Sequence, residues 1–380
     1  MSCILGIETS CDETAAAVVD ADLRVRSNVV ASQYELHAEY GGVVPEIASR
    51  AHLERILPVV RTALREADLE VGDIAAIAVG IRPGLIGSLL VGASMAKALA
   101  WALERPLHAV DHVAAHLFAG LLRPGAEGPG SVAISVTPPR RALGLVVSGG
   151  HTSLFRLEGA HGAVLLGRTI DDAIGEAFDK AANMLGLPHP GGPNLERAAE
   201  GGDAGALRFG LPRLGNPLDF SFSGLKTKLL YEIRGVPQGR GAQATFARSI
   251  ADLDARQRTD LAASFQRAAI AQVIDRLDAA LERETSCDSG ASEGLEAVFV
   301  GGGVVANRAL RAALAEWSAR RGLRLVVPEP GYCGDNAAMI AGYAALLRAE
   351  SPAFRAGDDL AIPAEPVSLL ARGAMPKRVH

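Results

Sequence analysis

The chain is poor in aromatic residues, 4% of 380, which leaves little material for a stacking platform that reads splayed RNA bases. Cysteine is as sparse. Cys3, Cys11, Cys287 and Cys333 contain no C-x-x-C pair, which argues against a disulfide framework and a four-cysteine zinc site and fits a reducing cytosol. Positive charge is not in excess: 38 Lys and Arg stand against 43 Asp and Glu, a net charge of −5. That excludes a globally basic nucleic-acid binder and leaves room for a local basic groove. The opening Met-Ser-Cys-Ile-Leu-Gly-Ile-Glu has no basic region and no long apolar run, so export is not expected. The most apolar stretch, 89–103, is broken by Lys97 and bounded by Glu104. It falls short of the roughly 20 residues of a membrane span, so no membrane partner and a cytoplasmic location are expected. No G-x-x-x-x-G-K-[ST] element occurs, which excludes a P-loop enzyme.

What is present is glycine, 42 residues of it, in a chain 49% apolar and 21% charged. That composition suits a glycine-punctuated α/β enzyme of two or three domains, at roughly 100–200 residues each. A short apolar strand over 3–7 enters the polar turn Glu8-Thr9-Ser10-Cys11-Asp12-Glu13-Thr14 and returns over 15–19, a hairpin by composition. Residues 45–68, opened by Pro45, have helical spacing. A strand over 74–79 runs through Gly80-Ile81-Arg82-Pro83-Gly84 into a helix ending near 102, and a helix starts near Asp111. The pattern then restarts: strand 143–147, turn Ser148-Gly149-Gly150-His151-Thr152, strand 153–157. Later, strand 297–300, Gly301-Gly302-Gly303 and a helix repeat the strand–glycine–helix unit, after a long helix over 261–284. Two such halves imply an internal duplication. The expected divisions are an N-terminal lobe, 1–122, a Gly/Pro-rich connector, 123–142, a C-terminal lobe, 143–349, and a tail, 350–380, that is loosely attached or lies against the N-terminal lobe.

His112 and His116 stand four apart on a helix, so both imidazoles reach one point. They are a metal pair or two histidines lining a helix–sheet contact. A zinc protease needs Glu directly after the first His, and Val113 stands there. The small-residue turn Ser148–Gly150 offers backbone N–H groups to an anion, or is an ordinary tight hairpin. Asn307, beyond the glycine run, bonds a nucleoside or serves an open helix end. Asp335, ahead of an apolar helix, is a metal ligand or an N-cap. Asp179 reads as a mid-helix acid, and Pro190–Pro193 as a turn. Lys226, Lys228, Arg234, Arg240, Arg248, Arg256 and Arg258 crowd one stretch, a phosphate-binding face or a solvated one.

In series, Gly6–Thr14, Gly41–Arg50, 85–98, His112…His116, Val146–Thr152, Ile170–Lys180, Pro190–Pro193, Phe220–Thr227, Gly301–Asn307 and Asp335–Ala341 resemble one family over most of the chain. This is the universal tRNA N6-adenosine threonylcarbamoyltransferases, TsaD in bacteria, once misnamed glycoprotein endopeptidases. The resemblance implies a duplicated actin-like ATPase (ASKHA) fold, α/β, with two lobes around a nucleotide and metal cleft. It implies transfer of threonylcarbamoyl from threonylcarbamoyl-AMP to N6 of adenosine at position 37 of tRNA. It makes His112, His116 and Asp335 metal ligands, for Fe(2+) or alternatively Zn(2+). It makes Val146, Val147, Ser148, Gly149, Gly150, Asp179, Gly192 and Asn307 substrate contacts. Expected partners are tRNA, a paralogous inactive subunit and a small ATPase. Two departures stand out: Arg82 where the family usually has Gly, and a longer connector at 123–142. An actin-fold kinase or a small-molecule O-carbamoyltransferase is the competing expectation; the kinase has no need of the His pair.

Overall fold

A computed structural model describes residues 2–40, 42–125, 140–239, 245–286, 294–351, 360–368 and 370. Most of the connector (126–139), Cys287, Arg240 and much of the tail lie outside the described residues. The other three cysteines are free thiols.

The first lobe contains β1 (Cys3–Glu8), β2 (Glu13–Asp20), β3 (Arg24–Ser32), α1 (Tyr34–Ala38), α2 (Pro45–Glu66), β4 (Ile74–Arg82), α3 (Ile86–Leu103), β5 (Leu107–Asp111), α4 (His112–Phe118) and β6 (Arg123–Pro124). The second contains β7 (Ala142–Val147), β8 (Thr152–Glu158), β9 (Gly162–Arg168), α5 (Ile174–Met184), α6 (Gly191–Ala198), α7 (Ser223–Arg234), α8 (Ala255–Ser286), β10 (Ala297–Gly301), α9 (Arg308–Arg321) and β11 (Arg324–Val326), after which α10 (Ala337–Glu350) packs back on the first sheet. The strand orders are β5-β4-β1-β2-β3-β6 and β11-β10-β7-β8-β9. Without the two-residue β6, the same order occurs twice: a central strand, its antiparallel hairpin partners on one side, and parallel strands on the other. The duplicated two-lobed α/β fold is therefore written in the topology.

β1 and β7 are buried along their whole length, as expected for central strands covered on both faces. Small residues then decide how closely helices approach. A Cβ at Gly6 would strike Ala337 and Ala341, so α10 lies directly on β1 although it follows the second sheet in sequence. A Cβ at Gly301 would strike the His116 carbonyl, so β10 closes on α4. These two contacts bring the start of α10 over α4.

The α3 helix starts earlier than its apolar core suggests, and at 18 residues it is long and apolar enough, by those criteria alone, to cross a membrane. In the fold one face, with Leu89, Ala93, Ala96 and Ala100, is buried against β4 and α2. Residues 360–368 also meet this lobe: Lys97 donates to the Ile362 carbonyl, Glu365 N–H to Ile81, and Ser368 to Asp111. Arg82 faces Glu365 at 3.9 Å.

Candidate metal centre

Asp111 ends β5 and caps α4, accepting from the N–H groups of Val113 and Ala114. The cap fixes the helix start, and the helical repeat sets His112 and His116 on one side, both buried. Asp335 arrives from two residues before α10. The N-cap of α10 is Asn336, whose side chain accepts from Met339 N–H at 3.0 Å. The capping role expected as an alternative for Asp335 therefore belongs to its neighbour, and the Asp335 carboxylate is left to face the histidines. Its Oδ1 lies 3.1 Å from His116 Nε2 and 3.4 Å from His112 Nε2.

One donor atom from each of the three lies within 4.8 Å of the others. Two imidazole nitrogens and one carboxylate oxygen form a mixed set suited to Fe(2+) or Zn(2+). The far nitrogen of His112 supports the fit. Nδ1 lies 3.1 Å from Glu8 Oε2 and 3.3 Å from Ser10 Oγ, so its proton is held by a carboxylate and Nε2 is left as the donor atom. Gly80 provides the room, because a Cβ there would strike the Glu8 carboxylate. Burial disfavours the charged form of His112, but Asp335 and Glu8 outweigh it and hold its pKa well above the ordinary value. Burial likewise works to raise Asp335, and the two histidines overcome it and hold the carboxyl well below the usual range. So much compensated charge in a buried pocket suits a cation that replaces the protons.

Other charge gathers around this centre. Glu13 is pushed up to about 9, by burial first and then by Asp12 and Asp335. His151, on the opposite turn, is pushed down to about 4 by burial and by His112 and His116. Sequence reasoning singled out neither Glu8 nor His151 as a site residue. The signal for Glu8 was an acid closing a wholly apolar strand.

Val146 and Val147 are core residues at the end of β7, with side chains turned into the hydrophobic clusters, so they offer a ligand only backbone. Ser148 N–H donates to the His151 carbonyl, and Ser148 Oγ accepts from His151 N–H, closing a compact turn. Nothing lies within 4 Å of where a Cβ would project from Gly149 or Gly150, so this turn presents open backbone. Asp179 is half-buried, and its Oδ1 accepts from Gly192 N–H at 2.9 Å, tying α5 to the start of α6. Asn307 caps α9, its Oδ1 accepting from Leu310 N–H while its Nδ2 donates to Gln266. Of the glycine run, Gly302 (φ +99°) is required by the Val147 carbonyl beneath it, and only Gly303 faces open space. The basic stretch is largely spent internally. Lys226 pairs with Asp172, Lys228 with the Arg208 carbonyl, Arg248 with Tyr231 and Glu232 carbonyls, and Arg256 with Asp260.

Comparison with known proteins gives the chain's family. The family model described as "TsaD: tRNA N6-adenosine threonylcarbamoyltransferase" matches residues 24–342. The tRNA N6-adenosine threonylcarbamoyltransferase of Trichlorobacter lovleyi is 48% identical over 342 residues, covering 89% of this chain and 89% of that protein. The enzyme of the same name from Symbiobacterium thermophilum is 47% identical, again covering 89% of each. Among solved structures, component A of (R)-2-hydroxyglutaryl-CoA dehydratase from Acidaminococcus fermentans matches 92% of this chain and 100% of its own, at 13% identity and a TM-score of 0.48. With nine-tenths of its length matched at nearly one residue in two, the chain belongs to the tRNA N6-adenosine threonylcarbamoyltransferase family.

Proposed function

We propose that the protein transfers the threonylcarbamoyl group of threonylcarbamoyl-AMP to N6 of adenosine 37 in tRNAs reading codons that begin with A. The N6 amine forms a bond to the carbamoyl carbon, the bond from that carbon to the adenylate phosphate oxygen breaks, AMP leaves as an anion, and one N6 proton passes to solvent or to a basic group. The observation that carries this reading is the convergence of His112, His116 and Asp335 in a chain of this family. They would hold one divalent metal, Fe(2+) in our reading and Zn(2+) as the alternative. When bound, such an ion supplies a Lewis acid for the carbamoyl carbonyl or the adjoining phosphate. The chain's own residues do the rest. Glu8 keeps His112 in the tautomer that presents Nε2 to the centre. The open backbone of Gly149 and Gly150 takes the phosphate or the threonyl carboxylate, as preorganised dipoles, on a turn that Val146, Val147 and Ser148 shape from beneath. Asp179, Gly192 and Asn307 line the adenylate end; for that, Asn307 must exchange Gln266 for the ligand while keeping its cap.

We assign the cytoplasm as the place of action, where tRNA is the acceptor. A paralogous inactive subunit and a small ATPase complete the system in this reading. Support comes from α2 and α3, packed side by side, which expose Leu53 and Leu57 on one and Ile86, Leu90 and Trp101 on the other. The test is nucleoside analysis of tRNA incubated with the protein, those partners, the metal and threonylcarbamoyl-AMP. The reading predicts threonylcarbamoyladenosine; ATP-dependent phosphorylation of a small molecule without tRNA would replace it with the kinase alternative.

A further inference from the structure

The turn after β1 is gripped by the elements around it. Three successive carbonyls are tied to the scaffold: Ser10 accepts from Leu85 N–H at 2.9 Å, Cys11 from His52 Nε2 at 3.0 Å, and Asp12 from Gln33 N–H at 3.0 Å. Two of the three grips are backbone to backbone. Only the middle one depends on a side chain, His52 of α2, which is completely buried.

His52 in turn is held by a chain whose direction the chemistry fixes. A carbonyl only accepts, so His52 Nε2 carries the hydrogen and Nδ1 of the neutral ring must accept. Two donors face it: Thr14 Oγ1 at 2.8 Å and Gln33 Nε2 at 3.2 Å. Gln33 Oε1 then accepts from His37 Nε2 at 3.3 Å, and His37 Nδ1 accepts from Val44 N–H at 3.4 Å. The run from Val44 to Cys11 is satisfied in one direction only, through three buried side chains that touch no candidate metal ligand. Such a network is costly to bury unless every member is paired, and here each is. What it fixes is the Cys11–Asp12 peptide, in the same turn whose Ser10 Oγ lies 3.3 Å from His112 Nδ1, and beyond it Glu13, whose carboxyl lies in the field of Asp335.

Resting on the functional reading above, we propose that His52 is a positioning residue for transfer. Through the Cys11 carbonyl it sets the Asp12–Glu13 turn against the metal centre, and metal binding itself does not need it. Misplacing a site element by about an ångström costs up to ~100-fold in rate, so the effect belongs in kcat. The test compares His52→Phe, which keeps bulk and loses both hydrogen bonds, with His52→Gln, which keeps a donor and an acceptor. Each is assayed with partners, tRNA and threonylcarbamoyl-AMP, beside metal analysis and thermal melting. We expect His52→Phe to retain metal, to lose about tenfold or more in kcat, and to keep KM within about twofold, while His52→Gln recovers most of the loss. Equal kcat in wild type and His52→Phe overturns the positioning role. So does a loss shared equally by both variants and tracking their melting temperatures. A wild type that makes no threonylcarbamoyladenosine overturns the functional reading instead. Should His52→Phe fail to fold, Thr14→Val and nitrogen-15 histidine spectra of the wild type decide. The neutral ring with hydrogen on Nε2 is expected, and hydrogen on Nδ1 overturns the proposal.

Discussion

The two hairpin turns that meet at the cleft are the same element of a duplicated fold with opposite chemistry. The first, between β1 and β2, is acidic and braced: Glu8 holds His112, Ser10 lies beside it, and three carbonyls are anchored by the elements around it. The second, between β7 and β8, has no charged carboxylate or ammonium; Gly149 and Gly150 leave its backbone open, and its His151 is held neutral to about 4. Duplication thus supplied two equivalent positions. In the function proposed above, one supports a cation and the other offers open backbone to an anion. A ligand carrying both a polarisable carbonyl and a phosphate is the kind of molecule that such an asymmetric pair would hold.

The largest effect on this contrast is expected from Glu8→Gln, which takes from the first turn the one carboxylate that holds His112. It removes the anion from His112 Nδ1, and such supporting partners are worth about 10–100-fold in metal affinity or activity. Metal titration of the variant checks it; unchanged affinity would mean that the two turns differ without consequence for the metal. Next in size is Gly302→Ala. This glycine supports the second turn from beneath, at φ +99° against the Val147 carbonyl, so a drop of about 2 kcal/mol in unfolding free energy is expected in denaturant melts.

A comparable effect appears only in acid. His108, buried on β5, is pushed down to about 4 by burial and by Arg348. Unfolded, it titrates near 6.5, so below that pH the unfolded state binds a proton that the folded state refuses. Stability is therefore lost as pH falls from about 6.5 towards 4, by about 2 kcal/mol at pH 5 from this residue. His108→Gln should flatten that part of the melting profile, separating the acid response of the scaffold from that of the acidic turn. The smallest effect is Gly150→Ala. With open space around it, stability should stay within about 0.5 kcal/mol while KM for threonylcarbamoyl-AMP rises. An unchanged KM would return this turn to an ordinary hairpin.

Much of this was legible in the sequence because the signals were local. The hairpins, the helix opened by Pro45 and the His pair four apart all declare themselves through spacing. The repeat was legible only in part. β3, β9 and β11 lack a clean alternating pattern: β3 is the partly exposed flank of a hairpin and β11 has three residues. The partners that matter most in the site were the least legible. Whether Asp335 or Asn336 caps α10 cannot be read from adjacent residues that both cap well; only the geometry assigns the cap to Asn336. Glu8 reaches His112 across 104 positions, and Asp335 reaches His116 across 219, contacts that exist only once Gly6, Gly80 and Gly301 have let the layers close. The glycine run read as a nucleotide turn is partly a packing requirement.

The central claim is that Asp335 completes a metal centre with His112 and His116. Asp335→Asn tests it most directly, because the change keeps size and hydrogen bonding, and the neighbouring cap on Asn336 is untouched. Metal content by elemental analysis, measured beside threonylcarbamoyl transfer on one preparation, should fall together with activity. Full metal occupancy with full transfer would contradict the account.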